Sequence, residues 1–140
     1  MIKFKMVAAV AAALVFTACS SNTDTLLKNK KWRVYDVQVP ANTPFNNTQI
    51  TQAKDLKSGY YSNVYYQFLD NNVFIATVDN VPDTGHYEII SNGKVISITP
   101  PKSENRSVEH LVSVEKLSEQ EFDMKVKTDE FYFILKTKRE

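Results

Sequence analysis

The sequence predicts an all-β domain: an eight-stranded antiparallel up-and-down barrel with one short helix after the first strand. Three observations predict it. Short runs of aromatic and β-branched residues recur along the chain after residue 31, Asp, Asn and Gly cluster between them, and several runs alternate apolar with polar residues. Strands joined by such short connections close naturally into a small barrel, which removes the exposed edges of an open sheet. An open sheet or sandwich is the rival architecture, and strand order separates the two.

The first run covers 32–39 (WRVYDVQV). Pro40, Asn42, Pro44, Asn46 and Asn47 then break the pattern. Residues 49–57 (QITQAKDLK) read as a helix capped by Thr48, with Ile50, Ala53 and Leu56 at helical spacing, and Ser58-Gly59 ends it. Runs 64–69 (VYYQFL) and 73–78 (VFIATV) flank Asp70-Asn71-Asn72, a hairpin signal because Asp and Asn tolerate positive φ. Val81-Pro82-Asp83 is expected to turn the chain into 84–90 (TGHYEII). Ser91-Asn92-Gly93 then leads to 94–99 (KVISIT), and its Asn-Gly pair is the clearest type I′ signal in the chain. A polar loop over 100–106 precedes 108–117, and 121–127 and 131–138 complete the eight.

Alternation is sharpest in Phe122-Asp123-Met124-Lys125-Val126-Lys127, which predicts one buried and one wet face. The rings expected inside are Trp32, Phe68, Phe74, Phe122 and Phe133. Large aromatics consume interior volume, so a filled or shallow barrel is at least as well supported as a hollow one.

Residues 1–21 read MIKFKMVAAVAAALVFTACSS. Lys3 and Lys5 form a positive n-region, 7–16 is apolar, and Phe16-Thr17-Ala18-Cys19 ends at a cysteine. This resembles a bacterial lipoprotein signal with its lipobox. The apolar run falls short of the roughly 20 residues that cross a hydrocarbon core. The resemblance implies removal of 1–18 and lipidation of Cys19 by a diacylglyceryl thioether and an acylated amine. Phe16 departs from the aliphatic residue usual in that family. Acyl chains contribute about 0.8 kcal/mol per buried CH2, so several of them hold a protein in a bilayer. Ser20 in place of Asp resembles the outer-membrane sorting preference, which implies the cell envelope and leaves the leaflet open. Residues 19–29 read as a polar tether and 30–140 as the barrel domain. Cys19 is the sole cysteine, so the fold has no internal disulfide.

Seventeen Lys and Arg face sixteen Asp and Glu, interspersed, which offers no broad basic field and argues against nucleic acid. Three glycines leave no phosphate-binding loop. Only His86 and His110 could act as near-neutral bases, and the cysteine is assigned to acylation. His86 and Glu88 share a strand face, but no second pair completes a metal site. The carboxylates fall in turns and exterior positions, with none in an apolar run. No enzyme, cofactor or metal is expected.

The order of elements carries a further resemblance. Leu26-Leu27 precede a lysine-rich turn and Trp32, followed by an early helix, Tyr66-Gln67-Phe68, a polar hairpin and Val73-Phe74. Gly85-His86-Tyr87-Glu88-Ile89, Val95-Ile96-Ser97-Ile98, and Val114-Glu115-Lys116-Leu117-Ser118 before Phe122-Asp123-Met124 complete it. Over about residues 26–138 the chain resembles bacterial lipocalin-like domain lipoproteins. The resemblance implies that Trp32 packs across the closed barrel end as a plug and that a small apolar or amphipathic ligand binds at the open end. Lys30-Lys31 stand before Trp32, so the Gly-x-Trp signature of true lipocalins is absent.

Tyr60, Tyr61, Tyr65 and Tyr66 crowd the entrance to one strand. Tyr60, Tyr61, Tyr66, Phe68 and Phe74 are the candidate ligand-binding residues, with 40–62 as a lid. Alternation of these tyrosines between core and exterior is the competing expectation. Three functional readings follow: a membrane-anchored ligand-binding barrel, a filled barrel that contacts an envelope protein, and a different all-β lipoprotein fold acting as inhibitor or assembly factor. Cavity volume separates the first two.

Overall fold

A computed structural model describes residues 19–100 and 109–140. The expected leader over 1–18, most of the polar loop over 100–106, and Val108 lie outside the described residues. The strands are β1 (Lys31–Gln38), β2 (Val64–Leu69), β3 (Val73–Val78), β4 (Val81–Ile90), β5 (Val95–Thr99), β6 (His110–Leu117), β7 (Glu121–Thr128) and β8 (Phe131–Arg139). Two helices join them, α1 (Cys19–Leu27) and α2 (Asn47–Ser58), with a 3-10 turn at Tyr60–Asn63. Every strand pairs antiparallel with its neighbour in sequence, and β1 pairs with β8, so the sheet is a closed up-and-down barrel. Closure rules out the open sheet and the sandwich.

Left-handed turn residues set the register. Asn71 and Asn72 (φ 61 and 59) link β2 to β3, and Asn92 and Gly93 (φ 57 and 84) link β4 to β5. The Lys94 N–H closes the second turn on the Ser91 carbonyl at 3.2 Å, the arrangement of a type I′ turn. The turn expected at Val81-Pro82-Asp83 is corrected: it lies at Asp79 and Asn80 (φ 48 and 67), and Pro82 sits inside β4 opposite Thr77. Asp and Asn accept positive φ, whereas the proline ring holds φ negative. The helix cap is corrected as well. Asn46 Oδ1, not Thr48, accepts from the Gln49 N–H at 3.1 Å, and Thr48 falls inside α2.

Within the segment read as a tether, 19–29, the residues from Thr23 on lie against the barrel. Leu27 has no exposed surface, and the Thr23 hydroxyl donates to the Gly93 carbonyl at 3.2 Å. The Asn29 N–H donates to the Phe68 carbonyl at 2.9 Å, and the Tyr87 hydroxyl donates to Asp24 Oδ1 at 3.0 Å. A mostly polar composition hid one apolar anchor: burying a leucine side chain contributes roughly 1.5–3 kcal/mol, enough to seat a short helix.

This closed end is the barrel floor. Trp32 is fully buried there and its Nε1–H donates to the Leu27 carbonyl at 3.1 Å. Rings then climb the interior. Trp32 meets Phe122 at 5.8 Å between centroids, Phe122 meets Phe68 at 6.0 Å, Phe68 meets Phe74 at 5.3 Å, and Phe74 stacks on Tyr66 at 5.7 Å. Phe133 and Leu135 on β8 join this core. Bulges between Val34 and Asp36 in β1 and between Val114 and Lys116 in β6 add the local twist that closure needs. Gly85 on β4 faces the Thr99 carbonyl oxygen so closely that a Cβ would collide with it.

Replacing Trp32 with Ala should cost roughly 3–5 kcal/mol, since it removes the largest floor ring and the bond to Leu27. Urea denaturation checks this, and a loss under about 1 kcal/mol would mean the floor repacks without it.

Candidate functional site

Above the floor rings the interior is not full. A cavity of about 150 Å³ begins over Phe68 and Phe122, with Phe74 and Tyr66 on one side and Val112, Met124 and Leu135 on the other. At its mouth stand Tyr61, Ile98, His110 and Val126. Most of these come from inward positions of consecutive strands, as period-two alternation requires. Tyr61 comes instead from the 3-10 turn after α2.

That turn is held in place by polar contacts on both sides. Arg33 Nη1 donates to Asn63 Oδ1 at 3.0 Å, and the Ser62 N–H and hydroxyl both reach the Gly59 carbonyl, at 3.1 and 2.7 Å. α2 buries Ala53 and Gln49, and Gln49 Nε2 donates to the Tyr132 carbonyl at 3.0 Å. Lys57 pairs with Asp36 at 3.1 Å. From Asn46 on, the 40–62 segment expected as a lid is thus held beside the mouth, and it supplies Tyr61 to the wall.

The polar groups on the cavity are two phenols and an imidazole. Burial pushes the Tyr61 phenol up to about 12, with Tyr60 adding and Thr128 opposing. Burial, then Tyr61 and Tyr60, push Tyr66 well above its ordinary range. Both are neutral donors at physiological pH. The Tyr66 ring stacks on Phe74. His110 is exposed at the rim.

Of the five residues singled out for ligand binding, the structure gathers Tyr61, Tyr66, Phe68 and Phe74 on this cavity. Tyr60 does not join them. It is 58% exposed and packs edge-on against Tyr61 at 4.9 Å, lining an outer basin of about 650 Å³ with Leu111 and Tyr132. Tyr65 points outward under the Lys31 and Arg33 head groups, so the tyrosine cluster divides between the two faces. Ile98, Val112, Met124 and Val126 were not singled out, although inward alternation was the signal that could have found them.

Cys19 opens α1 at the floor end, away from this cavity. His86 and Glu88 are exposed on β4, and among the described residues no group of three His, Cys, Asp or Glu is placed to hold a metal ion. No protein-family model matches the chain, and no curated protein matches it either. The fold is a small closed antiparallel barrel compatible with a lipocalin-like architecture.

Asp123 is one of the exterior carboxylates expected from the alternation of β7, and its surroundings nevertheless raise its pKa. It lies on the outer wall opposite Lys116 and Lys136, only 8% exposed, and its Oδ1 has no partner. Burial raises its pKa above the ordinary 3.8, opposed by Lys136, 3.9 Å away, and by Lys116. An acid whose folded pKa exceeds its unfolded one is destabilising when ionised. The penalty is full above the folded value and vanishes as pH falls below 3.8. Asp123→Asn should therefore leave neutral-pH stability equal or higher and shrink its gain on mild acidification. Denaturation midpoints at neutral and acid pH test this, and a loss above about 1 kcal/mol at neutral pH would show that the lysine row needs the charge.

Proposed function

We propose that the protein is a lipid-anchored envelope protein that binds one small apolar or amphipathic molecule in its barrel cavity and catalyses no reaction. The cavity carries this reading: about 150 Å³ of apolar space over a packed floor, reached past Tyr61, with the Tyr66 hydroxyl on its wall. Drug-sized ligands occupy pockets of roughly 300–1,000 Å³. An apolar cavity near 150 Å³ takes a benzene-sized group. One ring or a few methylenes would enter, and the polar part of the ligand would stay beside Tyr61 and His110. The two histidines stand on different strands and both are exposed, so neither is assigned an acid–base role.

Anchoring rests on residues 1–21, whose charged start, short apolar run and Cys19 fit a lipoprotein signal. Ser20 fits sorting to the outer membrane. A second reading is favoured by the surface around the mouth, where Phe45, Tyr60, Leu111 and Tyr132 are 80%, 58%, 60% and 48% exposed. In that reading the rim contacts an envelope protein partner.

Native mass spectrometry of protein purified gently from the envelope tests the first reading. An extra mass that leaves on denaturation supports it; a bare chain turns attention to the rim. Titration with benzene and with hexanoate, followed by the methyl signals of Ile98, Val112 and Met124, should give saturable shifts. Val112→Phe, which puts a ring into the cavity, should weaken them at least about tenfold. Unchanged affinity in that variant would mean the probes bind elsewhere. Cys19→Ser should leave unprocessed, unacylated precursor, and normal acylation and processing of that variant would rule out the anchor.

A further inference from the structure

We propose that the bilayer lies against the barrel floor and that the mouth opens away from it, so that ligand or partner arrives from the aqueous side and not from the anchoring leaflet. The proposal rests on acylation at Cys19, put forward above, and adds a direction to it. Its ground is the seating of α1. From Thr23 onward this helix is locked to the floor by the Thr23 bond to Gly93, the buried Leu27 and the Trp32 bond to the Leu27 carbonyl.

Only four residue steps separate Cys19 from Thr23. As helix they span about 6 Å, and fully extended roughly 14 Å. The mouth lies further off. The eight residues of β7 rise about 3.3 Å each and, at the usual barrel tilt, put it roughly 20 Å along the axis from the floor. An anchor at Cys19 holds the floor at the head groups and cannot bring the mouth to them without unseating α1.

The two ends differ in surface as well. The floor rim carries ion pairs, Lys28 with Asp24 at 2.8 Å, Lys30 with Glu119 at 3.0 Å and Arg139 with Glu119 at 3.7 Å, suited to a head-group layer. The large apolar side chains exposed among the described residues, Phe45, Tyr60, Val81, Leu111 and Tyr132, all belong to the mouth half. Without the anchor, that distribution alone would turn the mouth toward lipid. The geometry of α1 opposes it.

The test uses the acylated full chain in vesicles of three parts phosphatidylethanolamine to one part phosphatidylglycerol, doped with a nickel-chelating lipid. Acylation consumes the sulfur of the sole cysteine, so one introduced cysteine carries a nitroxide. Gln120→Cys and Glu130→Cys bracket β7 at exposed positions, floor and mouth respectively. Nickel at the head groups should enhance relaxation several-fold more at 120 than at 130. A flexible Gly-Ser segment inserted between Ser21 and Asn22 should bring the two values together. Equal or reversed enhancement in membrane-bound protein overturns the orientation alone. A difference that survives the insertion overturns the part assigned to α1. Protein that stays in the supernatant and takes label at Cys19 overturns the anchor, and the orientation with it.

Discussion

The indole N–H of Trp32 donates to the Leu27 carbonyl where neither residue has exposed surface, and that bond joins the first helix to the first strand across the barrel floor. Both partners need the arrangement. The indole nitrogen would otherwise be a buried donor without an acceptor, at a cost of about 1–3 kcal/mol. The Leu27 carbonyl is at the end of α1, where helices leave acceptors unsatisfied. With that pair fixed, Phe122 and Phe68 stack upward from the indole, and the cavity begins where the stack stops.

The interior is therefore graded. Rings and Leu27 fill the floor, while above them a small apolar space remains, with the compact side chains of Val112 and Val126 in its wall. The same gradient runs over the outside, from paired charges at the floor to exposed aromatic and aliphatic groups at the mouth. The packed base is rimmed by charge pairs, and the cavity opens at the other end.

The strands were legible because each obeys a local rule. Alternation placed Phe122 and Met124 inward, and Asn71, Asn92 and Gly93 marked turns through their tolerance of positive φ. What escaped local reading depends on partners distant in sequence. Leu27 gains meaning only against Trp32 and the Gly93 turn, and Asp123 is buried by the lysine stems that cross-strand register puts beside it. The cavity was legible in part, since four of its aromatic wall residues crowd one stretch of sequence. Its other wall comes from strands β5 to β8, and nothing local tells which inward positions are small enough to leave a gap.

Closure by β1 and β8 also dictates how the chain can fold. Trp32 pairs with Arg139, and the Glu140 N–H donates to the Lys31 carbonyl at 2.8 Å, so the seam joins the start of the domain to its last residues. Contacts of such separation form slowly, because nearly the whole chain must be gathered before they can be made. Until then β1 and β7 each present a raw edge able to pair with a neighbouring molecule. The chain gains protection from aggregation only when its final strand has been gathered, so the nine residues of β8 act as the latch for all the rest.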